Sequence, residues 1–391
     1  MATYEGVDFI SFDTLLTEEE RMIRDSAREF TERSIMPIIE EHHRNATFPM
    51  DLVQEMGAMG FLGANLDGYG CAGLGAVAYG LIMQELERGD SGVRSFCSVQ
   101  GALCMWPIHT YGSEEQKEKW LPRMATGEKI GCFGLTEPDF GSNAAGMITK
   151  AEDCGDHYLL NGAKMWITNG CIADVAVVWA RLGDEGIHGF LVEKGMDGYS
   201  TLRQGRKFSL KASVTSELVF QDVKVPKENL LPGTAGINMK GPLSCLSQAR
   251  YGISFGAMGS AMACYDAALN YGLERIQFGK PIASFQLYQK KLADMITEIT
   301  KGQLLALQVG RLKEQGAAHP THISMAKRNN CEHALIIARE ARDMLGANGI
   351  TDEYVVGRHM VNIESVKTYE GTHDIHTLII GAKVTGINAF E

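Results

Sequence analysis

The sequence predicts an α+β protein in which two helical regions flank a small β domain. Three changes of texture along its 391 residues predict that order. Apolar residues recur at helical spacing up to about residue 130, short β-branched and aromatic runs parted by turn signals fill 131–240, and long helical periods return over 241–391. The expected domains are an N-terminal helical domain at 1–130, a middle β domain at 131–240 and a C-terminal helical domain at 241–391.

The first helix opens on a capping box, Thr17 with Glu20, and its apolar residues continue through Ala27 and Phe30. Further helices are expected over FPMDLVQEMGAMG, GAVAYGLIMQELERGD and SEEQKEKWLPRMATG. In the middle region DHYLLNGAKMWITN reads as two strands around an Asn-Gly hairpin turn at Asn161 and Gly162. ADVAVVWARL, GIHGFLVEK and SELVFQDVKVPKENLL supply further strands. The last third holds long helical segments such as ISMAKRNNCEHALIIAREARDMLGANG, which stops on a Gly-rich end.

A formal charge of −11 and a pI near 5.5 argue against nucleic acid or an anionic membrane surface as partner, since both need clustered Lys and Arg. No run of about 18 apolar residues occurs, so no membrane insertion is expected. The nine scattered cysteines include no C-x-x-C pair and fit buried thiols in a reducing compartment better than a disulfide framework or a zinc site. The acidic stretch MATYEGVDFISFDTLLTEEE lacks the features of a secretory or mitochondrial presequence, so a cytoplasmic, bacterial protein is expected.

Two motifs invite functional readings. GYGCAG, Gly68 to Gly73, matches the dinucleotide fingerprint, but that site needs a preceding strand and alternating β and α units, and here only helices follow. A Gly-rich helix connection is expected instead. KTYEGTHDIHTLIIG places Glu370 ahead of Gly371 and Thr372, with His373 and His376 beyond. Glu370 is then either a general base or half of a Glu-x-x-His metal motif whose counterpart is Glu40 with His43, the pairing that builds di-iron sites in helical bundles. Against the metal, Glu370 stands before the helix that Gly371 and Thr372 open, and Glu40 and His43 sit in a charged, solvated run.

CFGLTEPDFGSNAAGM, MWITN, LERIQFGKPIASFQ and YEGTHDIH, in that order, resemble the acyl-CoA dehydrogenase family over essentially the whole chain. GYGCAG, YGLIMQELERGDSGVRS, CLSQARYGIS, ARDMLGANGI and GTHDIHTLIIGAKVTGINAF are similar to the glutaryl-CoA dehydrogenases within it. The resemblance implies an acyl-CoA dehydrogenase-like fold whose C-terminal domain is four-helix-bundle-like. It implies FAD as cofactor, electron-transfer flavoprotein as acceptor, and a homo-oligomer because subunits share the cofactor, a tetramer as the family usually is.

By resemblance Glu370 is the base that removes the α proton, no metal is involved, and the thioester oxygen is held by the backbone N–H of the base and a ribityl hydroxyl of FAD. Substrate contacts carry over to Val93, Arg94, Ser95, Ser142, Leu243, Arg250, Tyr369, Gly371 and Phe390, with Arg94 recognising a distal carboxylate. Phe133, Leu135, Thr136, Gly141, Ser142, Trp166, Thr168 and Asn169 match residues that pack on the flavin, and Thr372 and Asp374 also match cofactor contacts. Arg275, Phe278, Gln286, Asp343, Gly346 and Ala347 match residues that reach the FAD of a neighbouring subunit. Phe140, Asn143 and Ala347 depart from the usual pattern and bear on details of flavin contact.

The expected reaction is FAD-dependent oxidation of glutaryl-CoA at its α and β carbons. Val93 stands where decarboxylating relatives carry tyrosine, and a drier, hydroxyl-free surrounding strengthens the hold of Arg94 on the carboxylate, so release of glutaconyl-CoA is expected. The alternatives are decarboxylation to crotonyl-CoA and CO2, a di-iron carboxylate protein, and a non-catalytic acyl-CoA-binding protein, against which the retained Glu370 argues.

Overall fold

A computed structural model describes residues 6–390. Its first region is helical: α1 (Glu18–Phe30), α2 (Ile39–Asn45), α3 (Leu52–Ala58), α4 (Ala76–Gly89), α5 (Ser91–Ser98), α6 (Trp106–Tyr111) and α7 (Glu114–Ala125). The capping box forms, with Thr17 Oγ1 accepting from Glu20 N at 3.2 Å and the Glu20 carboxylate accepting from Thr17 N at 2.8 Å. Gly68, Gly70 and Gly73 all take positive φ in the loop from α3 to α4, so the Gly-rich run is a helix connection.

A seven-stranded sheet follows, built from β1 (Gly131–Gly134), β2 (Lys150–Asp153), β3 (His157–Thr168), β4 (Val175–Leu182), β5 (Gly186–Glu193), β6 (Tyr199–Arg203) and β7 (Thr215–Pro226). The order is β1-β4-β2-β3-β7-β6, with β5 antiparallel to β4. The expected Asn161-Gly162 hairpin is absent: β3 runs straight through it. Leu160 pairs with Val223 and Gly162 with Phe220, so the irregularity is a bulge in the partner strand. Gly162, at φ 144°, lies where a Cβ would come within 2.5 Å of Thr149 Oγ1, and Asn161 is occupied by Asp222, whose N–H donates to Asn161 Oδ1 at 2.9 Å. Close packing against Thr149, rather than a turn, explains this glycine.

The last region is a bundle of α8 (Lys240–Glu274), α9 (Gln286–Glu314), α10 (Pro320–Met344) and α11 (Val355–Thr368), with α12 (His373–Thr385) against α10. A short hairpin, β8 (Ile276–Gln277) and β9 (Lys280–Pro281), joins α8 to α9. Among the described residues no helix is long and apolar enough to cross a membrane.

The helical regions meet where α4, almost wholly buried, lies on α8. Glycines set how close they come. A Cβ at Gly80 would sit 2.5 Å from the Phe255 ring and one at Gly259 would sit 1.9 Å from the Gln84 carbonyl oxygen. A backbone oxygen cannot rotate away. Gly259→Ala is therefore expected to force α4 and α8 apart at a cost of roughly 1–3 kcal/mol, measured as a lower urea midpoint of the holoprotein; an unchanged midpoint would show that the helices do not meet this closely.

Candidate active site

Asp90 makes the corner from which the first half of the site is built. It interrupts α4 and α5 in an extended conformation, φ −164° and ψ 139°. Its Oδ1 caps α5 by accepting from Gly92 N at 2.6 Å, while Oδ2 accepts from Arg358 Nη1 at 2.8 Å and Asn362 Nδ2 at 2.9 Å on α11. Arg94, one turn into α5, is thereby carried into the interior, where it is fully buried.

Arg94 Nε donates to Glu87 Oε2 at 2.5 Å, its Nη2 donates to the Tyr369 hydroxyl, and its Nη1 is enclosed with no partner among the described residues. Glu87 Oε1 accepts from Ser91 Oγ at 2.9 Å. Room for the pair comes from Gly256 on α8, where a Cβ would lie 2.1 Å from Glu87 Oε2. Burial works against the guanidinium charge, but Glu87, Tyr369 and Glu370 together outweigh it and the Arg94 pKa is raised, so the group stays cationic. Val93 and Ser95 on either side are buried, Val93 within the apolar core.

Glu370 and Gly371 join α11 to α12 through two consecutive left-handed residues, φ 55° and 90°. Glycine is needed at 371, since a Cβ there would lie 3.0 Å from His376 Nε2 and 3.2 Å from Arg250 Nη2. Thr372 caps α12 by accepting from Ile375 N at 3.2 Å, and Asp374 sits exposed in its first turn. Arg250 Nε donates to the Glu370 carbonyl at 2.7 Å, and Lys327 Nζ donates to the carbonyls of Tyr369 and Gly371 at 2.7 and 2.8 Å.

The carboxylate itself is left free: Glu370 Oε2 is enclosed and unpartnered among the described residues. Burial raises its pKa above the usual glutamate value, against the pull of Arg94, Lys327 and Arg250. Tyr79 OH and Ser98 Oγ, on α4 and α5, are likewise enclosed and close to each other, with no other hydrogen-bond partner among the described residues. The metal alternative loses its geometry. Glu370 lies off the helix that His373 begins, and Glu40 pairs with exposed Arg44 at 2.6 Å. No group of three or more His, Cys, Asp or Glu among the described residues could hold a metal ion.

The β domain presents a second group. Met165 N donates to Thr136 O at 2.8 Å, which sets the Phe133–Thr136 segment beside the end of β3. There Lys164 pairs with Leu218 but Ile167 with Ser216, so an extra residue bulges from β3. Trp166 in that bulge, at φ 63°, is turned outwards with 62% of its surface exposed, while Asn169 is buried and donates from Nδ2 to Gly131 O at 3.3 Å. A broad uncovered indole with Thr136 and Thr168 nearby fits a planar cofactor with polar edges, as a flavin is.

Gly141 and Ser142, both exposed, lie on a loop pinned by Glu137, whose buried carboxylate accepts from Ile148 N at 2.7 Å, Thr149 N at 2.9 Å and Lys164 Nζ at 2.8 Å. Burial pushes the Lys164 ammonium down to about 8, against Glu137.

A third group stands apart. Arg275, Phe278 and Gln286 are exposed around the β8–β9 hairpin, Phe278 at 92%, and Asp343, Gly346 and Ala347 at the end of α10 are exposed with them. Lys291 Nζ, donating to Asp343 at 3.2 Å, ties α9 to this end of α10. Among the described residues no bond or ring contact joins this group to the other two. Leu243, on the first turn of α8, and Phe390 in the tail are exposed and likewise have no bond to the Arg94–Glu370 cluster.

Glu137, Lys164, Tyr79, Ser98, Lys327 and His376 were not singled out as site residues by sequence reasoning. Glu137 and Lys164 lie inside or beside the motifs quoted above, and His376 within one; nothing in the local pattern marks Lys327.

Residues 17–128, 132–223 and 239–385 match the N-terminal, middle and C-terminal domains of acyl-CoA dehydrogenase. A glutaryl-CoA dehydrogenase of Mycobacterium smegmatis superposes with a TM-score of 0.96 at 54% identity, covering 98% of this chain and 99% of that one. A glutaryl-CoA dehydrogenase structure from the same organism, in complex with FADH2, superposes with a TM-score of 0.97 at 51% identity over 100% of both chains. The short-chain specific acyl-CoA dehydrogenase of Clostridium acetobutylicum is 36% identical over 95% of this chain and 99% of its own. With every domain of the family matched in order on a fold that gathers its motif residues into these groups, the chain belongs to the acyl-CoA dehydrogenase family.

Proposed function

We propose that this FAD-dependent dehydrogenase oxidises glutaryl-CoA, with Glu370 as the base and Arg94 as the receptor for the free carboxylate. The observation that carries the substrate is Arg94: a fully buried guanidinium with one unpartnered nitrogen, linked through Tyr369 to a carboxylate that also keeps an unpartnered oxygen. An unpaired buried donor is costly unless a ligand completes it. A dicarboxylic thioester meets both needs, its acidic α carbon at Glu370 and its distal carboxylate at Arg94. The likeness to the glutaryl-CoA dehydrogenases of M. smegmatis supports the same substrate.

FAD supplies the acceptor for the β hydride. Phe133, Leu135, Thr136, Gly141, Ser142, Trp166, Thr168 and Asn169 would hold it, with Thr372 and Asp374 at the start of α12. Arg275, Phe278, Gln286, Asp343, Gly346 and Ala347 would reach the FAD of a neighbouring subunit, which makes the working form a homo-oligomer, a tetramer by likeness to the family. The exposure of Phe278 and Trp166 supports this reading. Val93, Ser95, Ser142, Leu243, Arg250, Gly371 and Phe390 complete the acyl-CoA contacts. Electron-transfer flavoprotein takes the electrons onwards.

Glu370 abstracts the α proton as a carboxylate, held by the backbone on both sides while its own oxygen stays free of competing donors. Arg94 and Lys327 favour its ionised form and desolvation opposes it, which leaves a stronger base than a solvated glutamate.

The product is glutaconyl-CoA on the Val93 argument, since a hydroxyl-free neighbour leaves the distal carboxylate firmly held. A second reading, decarboxylation to crotonyl-CoA, is favoured by one observation: Glu87 already shares the Arg94 charge and Tyr369 supplies a hydroxyl to the same guanidinium. A shared arginine holds a carboxylate less tightly and lets its charge migrate.

Glu370→Gln is expected to keep bound flavin and lose its bleaching by glutaryl-CoA by about three orders of magnitude or more. In the unaltered protein the Glu370 pKa is raised, so flavin reduction is lost as pH falls, with a midpoint above the ordinary glutamate value. Stopped-flow spectra across pH read both; undiminished bleaching in the glutamine variant removes Glu370 from the reaction. Arg94→Ala is expected to lower kcat/KM for glutaryl-CoA relative to butyryl-CoA by about 100-fold, and an unchanged ratio in steady-state assays would mean that Arg94 does not select the dicarboxylate. Chromatography of the acyl-CoA products settles their fate: glutaconyl-CoA alone supports the Val93 argument, and crotonyl-CoA formed in step with turnover refutes it.

A further inference from the structure

Three successive carbonyl oxygens, those of Tyr369, Glu370 and Gly371, are each held by a buried cation. Arg250 on α8 takes the middle one, and Lys327 on α10 takes the two outer ones. Lys327 is 1% exposed. Among the described residues it forms no ion pair with a carboxylate.

An ammonium buried without a counter-ion is expensive, and Lys164 shows the usual remedy, a carboxylate at 2.8 Å. Lys327 instead spends its hydrogen bonds on backbone carbonyls. It does so where two consecutive residues, Glu370 and Gly371, take left-handed conformations, the first of them not a glycine.

We propose that Lys327 is a positioning residue for the base: by donating to the carbonyls on either side of Glu370 it fixes the left-handed geometry of that residue, and its positive charge, beside those of Arg94 and Arg250, favours the ionised Glu370 carboxylate. This rests on the reading of Glu370 as the base. Methionine would fill the same space and supply neither function.

The charges around Glu370 come from several elements. Arg94 on α5, Lys327 on α10 and Arg250 on α8 all favour its ionised form. Of the neutral groups, burial pushes His376 on α12 down to about 2, so it carries no charge at working pH, and burial raises the pKa values of Tyr369, of Tyr79 on α4 and of Cys331 on α10. Glu87 on α4 faces Arg94 and is spent on it. Arg94 is therefore the cation already shared, and Arg250 is engaged through its Nε with a carbonyl. Lys327, like Arg250, has no carboxylate partner among the described residues, and it holds the carbonyls on both sides of Glu370. Burial holds its own pKa down to about 8, so it is charged where the acid limb of the reaction lies.

The test is the pH dependence of flavin bleaching by glutaryl-CoA in single turnover for wild type, Lys327→Met and Lys327→Arg, each as flavin-loaded protein. In Lys327→Met the acid limb is expected to move up by about 1–3 pH units, the scale of one nearby buried charge, with the plateau rate down about tenfold or more and the substrate half-saturation within about threefold. Lys327→Arg, which keeps the charge, is expected to keep the limb. A role in packing alone would lower the rate or the flavin content without moving the limb.

An unmoved limb in a flavin-loaded Lys327→Met protein overturns the proposal. If that variant fails to retain flavin, Lys327→Gln replaces it, and the same shift or its absence decides. Loss of flavin in both neutral variants with retention in Lys327→Arg supports the charge as the essential element; loss in all three overturns it. Should wild-type flavin itself not respond to acyl-CoA, or Glu370→Gln still bleach, the base assignment falls on its own account.

Discussion

The Glu87–Arg94 ion pair is the interaction around which this molecule is arranged. Taking a guanidinium and a carboxylate out of water costs several kcal/mol each before their attraction is counted. The fold offsets that cost with specific groups: Ser91 on the second carboxylate oxygen, the Tyr369 hydroxyl on the guanidinium, and Gly256 where any side chain would collide with the pair. The break at Asp90 turns α5 so that Arg94 can reach inwards, and the same aspartate fastens that corner to α11. The N-terminal helices, α8 and the segment bearing Glu370 thus meet at one buried charge.

Part of the backbone strain lies at the candidate contacts. Trp166, Phe278 and Glu370 are non-glycine residues at positive φ, and each belongs to one of the three groups of candidate contacts. Such conformations cost of order 1–3 kcal/mol and persist only where the surroundings over-determine them. At Trp166 the bulge in β3 does so by turning the indole away from the core. At Glu370 the backbone is held by Arg250 on its own carbonyl and by Lys327 on the carbonyls of Tyr369 and Gly371.

Local signals in the sequence were read well where the physics is local. The Thr17 and Glu20 capping box, the succession of helices and strands, and the position of Glu370 before a helix all depend on residues a few places apart. The buried pairing of Arg94 with Glu87 was not legible locally, because burial is a property of the whole fold. Asn161-Gly162 misled for the same reason: the dipeptide favours a hairpin in isolation, but Thr149 and the pairing with β7 decide its conformation. Lys327 was out of reach because its partners lie 42 and 44 residues away and neither uses a side chain. The Val93 argument treated Arg94 as having a free charge, and only the structure supplies the competitors Glu87 and Tyr369.

Gly256 and the charges it shelters also constrain how the acyl preference can change over evolutionary time. Replacing Arg94 alone strands a buried carboxylate, and replacing Glu87 alone strands a buried guanidinium, so each single step is strongly unfavourable while the double replacement need not be. A side chain larger than glycine at 256 becomes tolerable only after the pair is gone, and it then blocks the way back. If the proposed role of Arg94 holds, a lineage that left dicarboxylic substrates by this route would find the return closed, an irreversibility written into one missing methyl group.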